Sequence, residues 1–273
     1  MSNVLITVDD LAEAMLSSRP PAVLDVRWQL GRDDGPEQYR QGHLPGAVYV
    51  DLDTELAAPA EPARGRHPLP DVADLQAAAR RWGVDALAPV VVYDDNGGMS
   101  AARAWWLLRW GGVADVKILD GGVGAWRDAG MRLSKGDATP RGGTVVLAAG
   151  ALPTVDVDEV DGTDSLLLDA RAGERFRGEV EPVDPRPGHI PGAVSAPTSD
   201  NLIEGRFRPA DELRSRFADL GVDDDRDVIV YCGSGVTAAH EIAALEHAGF
   251  TATLYPGSYS QWSSDPARDV ERG

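Results

Sequence analysis

Residues 228–237 read Val228-Ile-Val-Tyr-Cys-Gly-Ser-Gly-Val-Thr237. The apolar run predicts a buried strand, and the glycines that follow predict a tight loop leading into a helix that begins at Thr237. Cys232 then lies at the carboxyl end of a strand, where open α/β sheets bind ligands. Gly233 and Gly235 allow successive N–H groups to turn inward, and the helix dipole adds positive potential, so the loop favours a thiolate. We therefore predict that Cys232 is a nucleophile, against the alternative of an inert cysteine packed in the core.

The chain contains two copies of one sequence pattern, which we interpret as an internal repeat. Three pairs of segments recur in the same order: Leu24-Asp-Val-Arg27 with Leu168-Asp-Ala-Arg171, His43-Leu-Pro-Gly-Ala-Val48 with His189-Ile-Pro-Gly-Ala-Val194, and Val91-Val-Tyr-Asp94 with Ile229-Val-Tyr-Cys232. Asp94 therefore stands in the first copy where the second copy has Cys232. Because His43 and His189 begin the same turn, including in the copy that lacks a cysteine, we expect both to be structural.

Within each copy, short runs of β-branched residues alternate with amphipathic stretches. This alternation predicts an α/β fold in which each copy forms a mainly parallel sheet flanked by helices. The chain has 273 residues, which suits two domains of ordinary size. Residues 135–152 are rich in turn formers and lack apolar periodicity, as expected of a linker. We predict an N-terminal domain over residues 4–134 and a C-terminal domain over residues 153–270 on either side of this linker.

Composition and charge argue against several classes of protein. With 44 acidic and 26 basic residues, the formal net charge is −18, which repels nucleic acids and anionic membranes at long range. No apolar run approaches the length of a membrane span, and the N-terminal stretch has no basic segment followed by an apolar core. We therefore expect a cytoplasmic protein with no nucleic-acid or membrane partner. A single cysteine also leaves no intramolecular disulfide and no cysteine-based metal cluster.

A thiolate in such a loop suits two chemistries. A cysteine phosphatase needs an arginine in the pattern Cys-x5-Arg to grip the phosphate, and Ala238 occupies that position here. Sulfur transfer needs only a thiolate, room for one additional sulfur atom, and hydrogen-bond donors around it. The loop therefore favours sulfur transfer over phosphate chemistry.

These residues resemble the tandem rhodanese-domain sulfurtransferases, the family that includes thiosulfate sulfurtransferase and 3-mercaptopyruvate sulfurtransferase. The paired Leu-Asp-x-Arg and His-x-Pro-Gly-Ala segments and the cysteine loop carry the resemblance over nearly the whole chain. The resemblance implies two tandem rhodanese-like domains: a non-catalytic first domain, with Asp94 in place of the cysteine, and a catalytic second domain. It also implies that substrate binds between the domains, that Cys232 carries sulfur as a persulfide, and that no metal or organic cofactor takes part.

The resemblance also indicates how the donor is bound. Arg175 matches the substrate-binding arginine of the family. The segment Glu181-Pro-Val183 departs from the pattern in which many mercaptopyruvate enzymes carry a second arginine, although Arg186 lies nearby. The loop has no basic residue directly after the cysteine, unlike thiosulfate sulfurtransferases, which points to 3-mercaptopyruvate as the donor. The loop residues expected to surround the donor are Gly233, Gly235, Val236 and Thr237.

Three further residues align with the serine, histidine and aspartate proposed to handle protons in the mercaptopyruvate branch: Ser234, His67 and Asp53. A neutral histidine paired with a carboxylate can accept a proton and relay it. Two alternatives remain open. Ser234 could serve only as a hydrogen-bond donor to the persulfide, and His67 could serve only as a cap on a proline-rich loop.

We therefore predict a sulfurtransferase that moves sulfane sulfur from 3-mercaptopyruvate to a thiophilic acceptor. The expected acceptor is cyanide, a small thiol or a thioredoxin-like protein. One alternative is a thiosulfate sulfurtransferase that forms the same Cys232 persulfide. Another is a module that delivers sulfur to, or binds, one protein partner without turnover.

Overall fold

The structure is a computed structural model that describes residues 4–273; residues 1–3, which open the N-terminal stretch considered above, lie outside the described residues. The first half of the chain contains, in order, β1 (Leu5–Ile6), α1 (Val8–Met15), β2 (Ala22–Asp25), α2 (Gly35–Gln41), β3 (Val48–Tyr49), α3 (Leu52–Glu55), α4 (Val72–Arg81), β4 (Val90–Tyr93), α5 (Ala101–Trp110), β5 (Val116–Leu119) and α6 (Gly122–Asp128). The second half contains α7 (Val157–Val160), β6 (Leu166–Asp169), α8 (Gly173–Phe176), β7 (Val194–Ser195), a 3₁₀ helix (Thr198–Asn201), β8 (Leu202–Ile203), β9 (Arg206–Phe207), α9 (Ala210–Asp219), β10 (Val228–Tyr231), α10 (Thr237–His247), β11 (Thr253–Leu254) and α11 (Ser258–Trp262).

The two halves share one sheet topology. The first sheet has the strand order β1-β5-β4-β2-β3 and the second has the order β11-β10-β6-β7. All strand pairs in both sheets are parallel. Beside β11, Thr154 forms a parallel bridge with Leu254, in the place that β1 takes beside β5. Strands β8 and β9 form a separate antiparallel hairpin. The predicted fold, two parallel sheets flanked by helices, is confirmed.

The central strands of both sheets are buried along their whole length. All residues of β4, β6 and β10 are buried, as expected of parallel strands with helices on both faces. Strand β4 is followed by the loop that starts at Asp94, and β10 by the loop that starts at Cys232. Each loop then opens into a helix, α5 in the first half and α10 in the second.

The two halves meet through α5 and α10, which pack against each other. One apolar core runs through this contact, and it includes Trp105 and Leu108 of α5 with Ile242 and Leu245 of α10. From the sequence, Ile242 and Leu245 mark one apolar face of α10, yet every residue from 238 to 245 is buried. The reason is that the second sheet covers one side of α10 and α5 covers the other. The contact between the halves therefore contains a continuous apolar core.

Residues 135–152, the predicted linker, contain neither helix nor strand. They nevertheless lie along the first half of the chain. The N–H of Gly143 donates to the Arg80 carbonyl oxygen at 2.7 Å, and the N–H of Val145 donates to the Val84 carbonyl oxygen at 3.2 Å. The segment therefore packs against the first half.

The domain limits given above, residues 4–134 and 153–270, stay a prediction, although each range encloses one of the two parallel sheets. Within residues 4–273, each helix is too short or too polar to cross a membrane.

The two repeated histidines occupy matching environments. His43 stacks on Tyr39 with ring centroids 4.1 Å apart, and its Nδ1 lies 3.0 Å from the Tyr39 carbonyl oxygen. His189 stacks on Phe176 with ring centroids 3.7 Å apart, and its Nδ1 lies 2.9 Å from the Phe176 carbonyl oxygen. Because the same contacts occur in the half without a cysteine, the geometry supports a structural role for both.

Candidate active site

Cys232 directly follows β10 and is nearly enclosed, with 2% of its surface exposed. The N–H of Gly235 donates to its Sγ at 3.1 Å. Gly235 has a φ of +81°, and a β-carbon there would lie 2.6 Å from the Pro256 carbonyl oxygen, so the turn requires glycine. The Cys232 N–H donates to Ser258 Oγ at 3.2 Å. The sulfur thus lies near the N-terminal end of α10, where peptide dipoles favour an anion.

A pocket of about 270 Å³ opens at this loop, between the two halves of the chain. The predicted site residues that line it are Arg175, Cys232, Gly233, Ser234, Val236 and Thr237. Gly235 does not line the pocket and reaches the sulfur through its N–H. Trp28, Leu30 and Met99 form its wall on the side of the first half. A larger depression of about 770 Å³ lies elsewhere, but no cysteine or histidine lines it, so we assign the site by its chemistry rather than by volume.

Three polar side chains lead from the surface to the cysteine loop. Asp53 Oδ1 lies 3.1 Å from His67 Nε2, and His67 Nδ1 lies 2.7 Å from Ser234 Oγ. The Trp28 indole donates to both Asp53 oxygens at 3.0 Å and orients the carboxylate. Because the carboxylate accepts the Nε2–H, Nδ1 is left to accept the Ser234 hydroxyl proton. The structure brings the three predicted residues together, and their catalytic roles stay a prediction.

His67 is neutral in this setting. Burial lowers its pKa to about 4, the Arg103 guanidinium acts in the same direction, and the hydrogen bond to Asp53 opposes both. A histidine with so low a pKa carries no charge near pH 7 and can accept a proton.

Arg103 is a buried part of the site that was not predicted from the sequence. Its side chain is completely enclosed and has no carboxylate partner within residues 4–273. It donates instead to four backbone carbonyl oxygens, those of Leu56, His67, Pro68 and Gly235. Burial lowers the pKa of Arg103 to about 10, and the charge of Cys232 opposes that shift. The available sequence signal is a lone charged residue within Ala101-Ala-Arg-Ala-Trp-Trp106.

Arg175 lies at the pocket, as expected, and two acidic side chains hold it. Its Nη2 donates to Glu181 Oε1 at 2.7 Å and to Asp184 Oδ2 at 2.9 Å. Arg186 does not line the pocket. Its guanidinium donates to the backbone carbonyl oxygens of Trp262, Ser263, Asp265 and Arg268. A different arginine, Arg66, lines the pocket. It was not among the residues predicted from the sequence, although it directly precedes His67.

In the corresponding loop of the first half, the carboxylate of Asp94 takes the place of the cysteine sulfur. Asp94 is completely buried. Its carboxylate accepts hydrogen bonds of 2.8 to 3.0 Å from the backbone N–H groups of Asn96, Gly98, Ser100 and Ala101. The repeated loop is therefore an anion-binding cradle by its geometry. Since the Asp94 carboxylate occupies the cradle in the first half, the structure supports the expectation of one reactive site per chain.

The fold and the site define a tandem α/β protein with a single cysteine held in an anion-binding loop. The family model described as rhodanese-like domain matches residues 7–129 and 157–265. The chain belongs to this rhodanese-like family and contains two copies of its domain.

Similar proteins agree with this assignment. A protein of Mycobacterium tuberculosis named as the thiosulfate sulfurtransferase SseB is 49% identical, covering 99% of this chain and 97% of its own length. A protein of Pseudomonas aeruginosa named as a 3-mercaptopyruvate sulfurtransferase is 46% identical, covering 98% of each chain. The crystal structure of the Escherichia coli 3-mercaptopyruvate enzyme SseA superimposes with a TM-score of 0.83 at 34% identity, covering 93% of this chain and 98% of its own. The protein is a sulfurtransferase, which confirms the predicted class of enzyme.

Proposed function

We propose that this sulfurtransferase takes sulfur from 3-mercaptopyruvate and passes it to a thiophilic acceptor through a persulfide on Cys232. The supporting observation is the hydrogen-bonded chain of Asp53, His67 and Ser234, which ends at the Cys232 loop. A proton pathway serves a donor whose leaving group is a carbanion equivalent, whereas sulfite leaves thiosulfate without taking a proton.

In the proposed complex, Arg175 binds the carboxylate of the donor. Its Nη1 donates to no residue within 4–273 and is free to donate to a carboxylate, and the side chain lines the same pocket as Cys232. Glu181 and Asp184 hold the guanidinium in place, so little side-chain entropy is lost when the donor binds. The donor's sulfur is then directed toward the cysteine loop.

Sulfur transfer begins when the Cys232 thiolate attacks the sulfur of the donor. A sulfur–sulfur bond forms, the carbon–sulfur bond of the donor breaks, and its electron pair leaves on carbon as the enolate of pyruvate. The proton of the donor thiol ends on the methyl carbon of pyruvate. The products are a persulfide anion and pyruvate, so atoms and charge balance. The Gly235 N–H, which donates to Sγ at 3.1 Å, stabilises negative charge at this position.

The proton travels along the hydrogen-bonded side chains of Ser234, His67 and Asp53. The Ser234 hydroxyl takes the proton of the donor thiol as its own proton moves to Nδ1 of neutral His67. Asp53 stabilises the imidazolium that forms, and the reverse movement delivers a proton to the enolate. The low pKa of His67, about 4, favours rapid return of the proton to the leaving group.

The second half of the cycle restores the thiolate. The acceptor attacks the outer sulfur of the persulfide, the sulfur–sulfur bond breaks, and Cys232 leaves with the electron pair. Cyanide, a small thiol and a thioredoxin-like protein thiol are all chemically suited to this step. The identity of the acceptor and the cytoplasmic location stay predictions.

Thiosulfate is the second candidate donor, and the name of the Mycobacterium tuberculosis relative favours it. The persulfide would be the same, with sulfite as the leaving group and Arg175 facing the sulfonate oxygens. A protein that binds or delivers sulfur without turnover is a third candidate. The complete anion-binding loop around Cys232 argues against it.

The proposal is tested by intact mass measurement after the reduced protein is mixed with 3-mercaptopyruvate or with thiosulfate. We expect a gain of one sulfur atom, faster with 3-mercaptopyruvate, that cyanide removes and that the Cys232→Ser variant does not show. Faster loading from thiosulfate would reverse the donor assignment. If neither donor transfers sulfur to Cys232, the persulfide cycle is wrong. A protein that binds or delivers sulfur without turnover is then the favoured candidate.

A further inference from the structure

We propose that Arg66, from the first half of the chain, is a second substrate-binding residue that grips the donor's carboxylate together with Arg175. The proposal rests on the function proposed above in taking the donor to be a carboxylate. Each half of the chain then supplies one arginine to the pocket between them.

The two arginines share one acidic partner. Arg66 Nη1 binds Oδ1 of Asp184, and Arg175 Nη2 donates to Oδ2 of the same carboxylate at 2.9 Å. The Asp184 side chain is 1% exposed, so both guanidinium groups are held around a buried carboxylate. The two guanidinium groups are therefore close enough for both to contact one carboxylate group.

Each of these arginines also directs a terminal nitrogen toward the cysteine loop. A β-carbon built on Gly233 would lie 2.9 Å from Arg66 Nη2 and 3.3 Å from Arg175 Nη1. Neither of these nitrogens donates a hydrogen bond to residues 4–273, and within the same range the buried Arg66 Nε has no partner. Two guanidinium groups with unused donors beside the residue that follows Cys232 are suited to an anionic group of the donor.

The backbone fixes Arg66 at this position. Its N–H donates to Ser260 Oγ in the second half at 3.0 Å, and the next residue is His67 of the proton pathway. One short segment of the first half therefore brings both a cation and a proton acceptor to the Cys232 loop. Packing of the two halves against each other completes the binding site.

The local charge balance gives the expected effect of removing Arg66. Three arginines, Arg66, Arg171 and Arg175, are matched by three carboxylates, Asp169, Glu181 and Asp184. Without Arg66, three carboxylates would face two arginines, and an anionic ligand would meet both a lost hydrogen-bond donor and a repulsive field. A neutral ligand of the same shape would be little affected.

The experiment compares alkylation of Cys232 by iodoacetate and by iodoacetamide, which differ only in the carboxylate. Because the chain has one cysteine, intact mass follows a single site. We expect Arg66→Gln to lower the rate ratio of iodoacetate to iodoacetamide by about tenfold or more, with little change for iodoacetamide. Arg64→Gln is the matched control, since Arg64 is half exposed and pairs only loosely with Glu61 at 3.9 Å, and its ratio should equal that of the wild type. An unchanged ratio in Arg66→Gln would overturn the proposal.

A double variant separates direct binding from a change in net charge. Arg66→Gln with Asp184→Asn restores the charge balance but not the missing guanidinium. We expect its rate ratio to stay well below the wild-type value. Recovery of the wild-type ratio would mean that Arg66 only neutralises Asp184, which contradicts a direct contact with the ligand.

The same variants, assayed with sulfur donors, distinguish this proposal from the proposed function. If the wild type loads sulfur from 3-mercaptopyruvate, Arg66→Gln should raise KM for that donor about tenfold or more, whereas discharge of preloaded persulfide to cyanide should be unchanged. A wild type that loads no sulfur from 3-mercaptopyruvate would refute the donor assignment, and the alkylation ratio would still decide the role of Arg66.

Discussion

Cys232 carries negative charge twice in the proposed cycle, first as a thiolate and then as a persulfide. The Gly235 N–H and the N-terminal end of α10 stabilise both forms. Neither group can deliver a proton to a carbon leaving group. That task requires a titratable side chain near the sulfur, and His67, joined to the loop through Ser234 at 2.7 Å, meets the requirement.

Because only the carbon leaving group of 3-mercaptopyruvate needs a proton, we expect the two donors to respond differently to the loss of Asp53. Asp53→Asn allows the amide to donate to His67 Nε2, which favours the tautomer that cannot accept the Ser234 proton. We expect single-turnover loading from 3-mercaptopyruvate to slow by roughly 10²-fold or more, the usual contribution of general acid–base catalysis. Loading from thiosulfate needs no proton and should change little. Stopped-flow or quenched mass measurements with both donors check this, and equal slowing with both would argue against the proton pathway.

At the scale of elements, the strand, loop and helix around Cys232 follow from local signals. An apolar run, two glycines and a helix-forming stretch lie within a few residues of one another, and the structure has β10, the loop and α10 where they are expected. The contacts of Arg103 on α5 carry no such signal. Its acceptors are backbone carbonyl oxygens of residues 56, 67, 68 and 235, which any residue type presents. The Arg66 and Asp184 pair is equally invisible in the sequence, because it forms only when the halves pack together.

The position of Arg103 makes α5 an electrostatic partner of the cysteine loop. The Arg103 guanidinium is buried and has no carboxylate partner within residues 4–273, and the charge of Cys232 favours its protonated form. Arg103→Met should therefore slow alkylation of Cys232 by iodoacetamide near pH 7, by about tenfold, and should lower the melting temperature because four carbonyl oxygens lose their donor. Arg103→Lys keeps the charge and should recover much of the rate while remaining less stable than the wild type. A wild-type alkylation rate in folded Arg103→Met would show that the residue acts only as a structural clamp.

At the scale of the whole molecule, the tandem architecture could be predicted because repeated segments are visible in the sequence, whereas the way the halves pack could not. The stretch 135–152 has the composition of a linker but lies along the first half, since Val145 and Leu147 are buried in the core. Helix α10 is buried on nearly all sides because α5 of the other half covers it. Both outcomes depend on tertiary contacts between segments far apart in the chain.

Burial at this contact also makes stability depend on pH through His240. Its Nε2 lies 3.2 Å from the Gly97 carbonyl oxygen of the first half, and its Nδ1 lies 2.6 Å from Thr198 Oγ1. Burial lowers its pKa from 6.5 to about 4. Between these values the unfolded chain binds a proton that the folded chain does not. The contribution of His240 to the free energy of unfolding is therefore fully present above pH 6.5. It falls by up to roughly 3 kcal/mol as the pH decreases toward 4.

The variant His240→Gln tests this directly, since glutamine can donate to a carbonyl oxygen and accept from a hydroxyl but does not titrate. Urea unfolding at several pH values between 7.5 and 4.5 would give the free energy of unfolding for both proteins. We expect the variant to be less stable at pH 7.5, because its hydrogen bonds are less well placed, and to lose less stability on acidification than the wild type. His67, with its own pKa of about 4, stays in both proteins, so some loss persists in the variant. Parallel pH profiles would instead place the acid sensitivity outside the contact between the two halves.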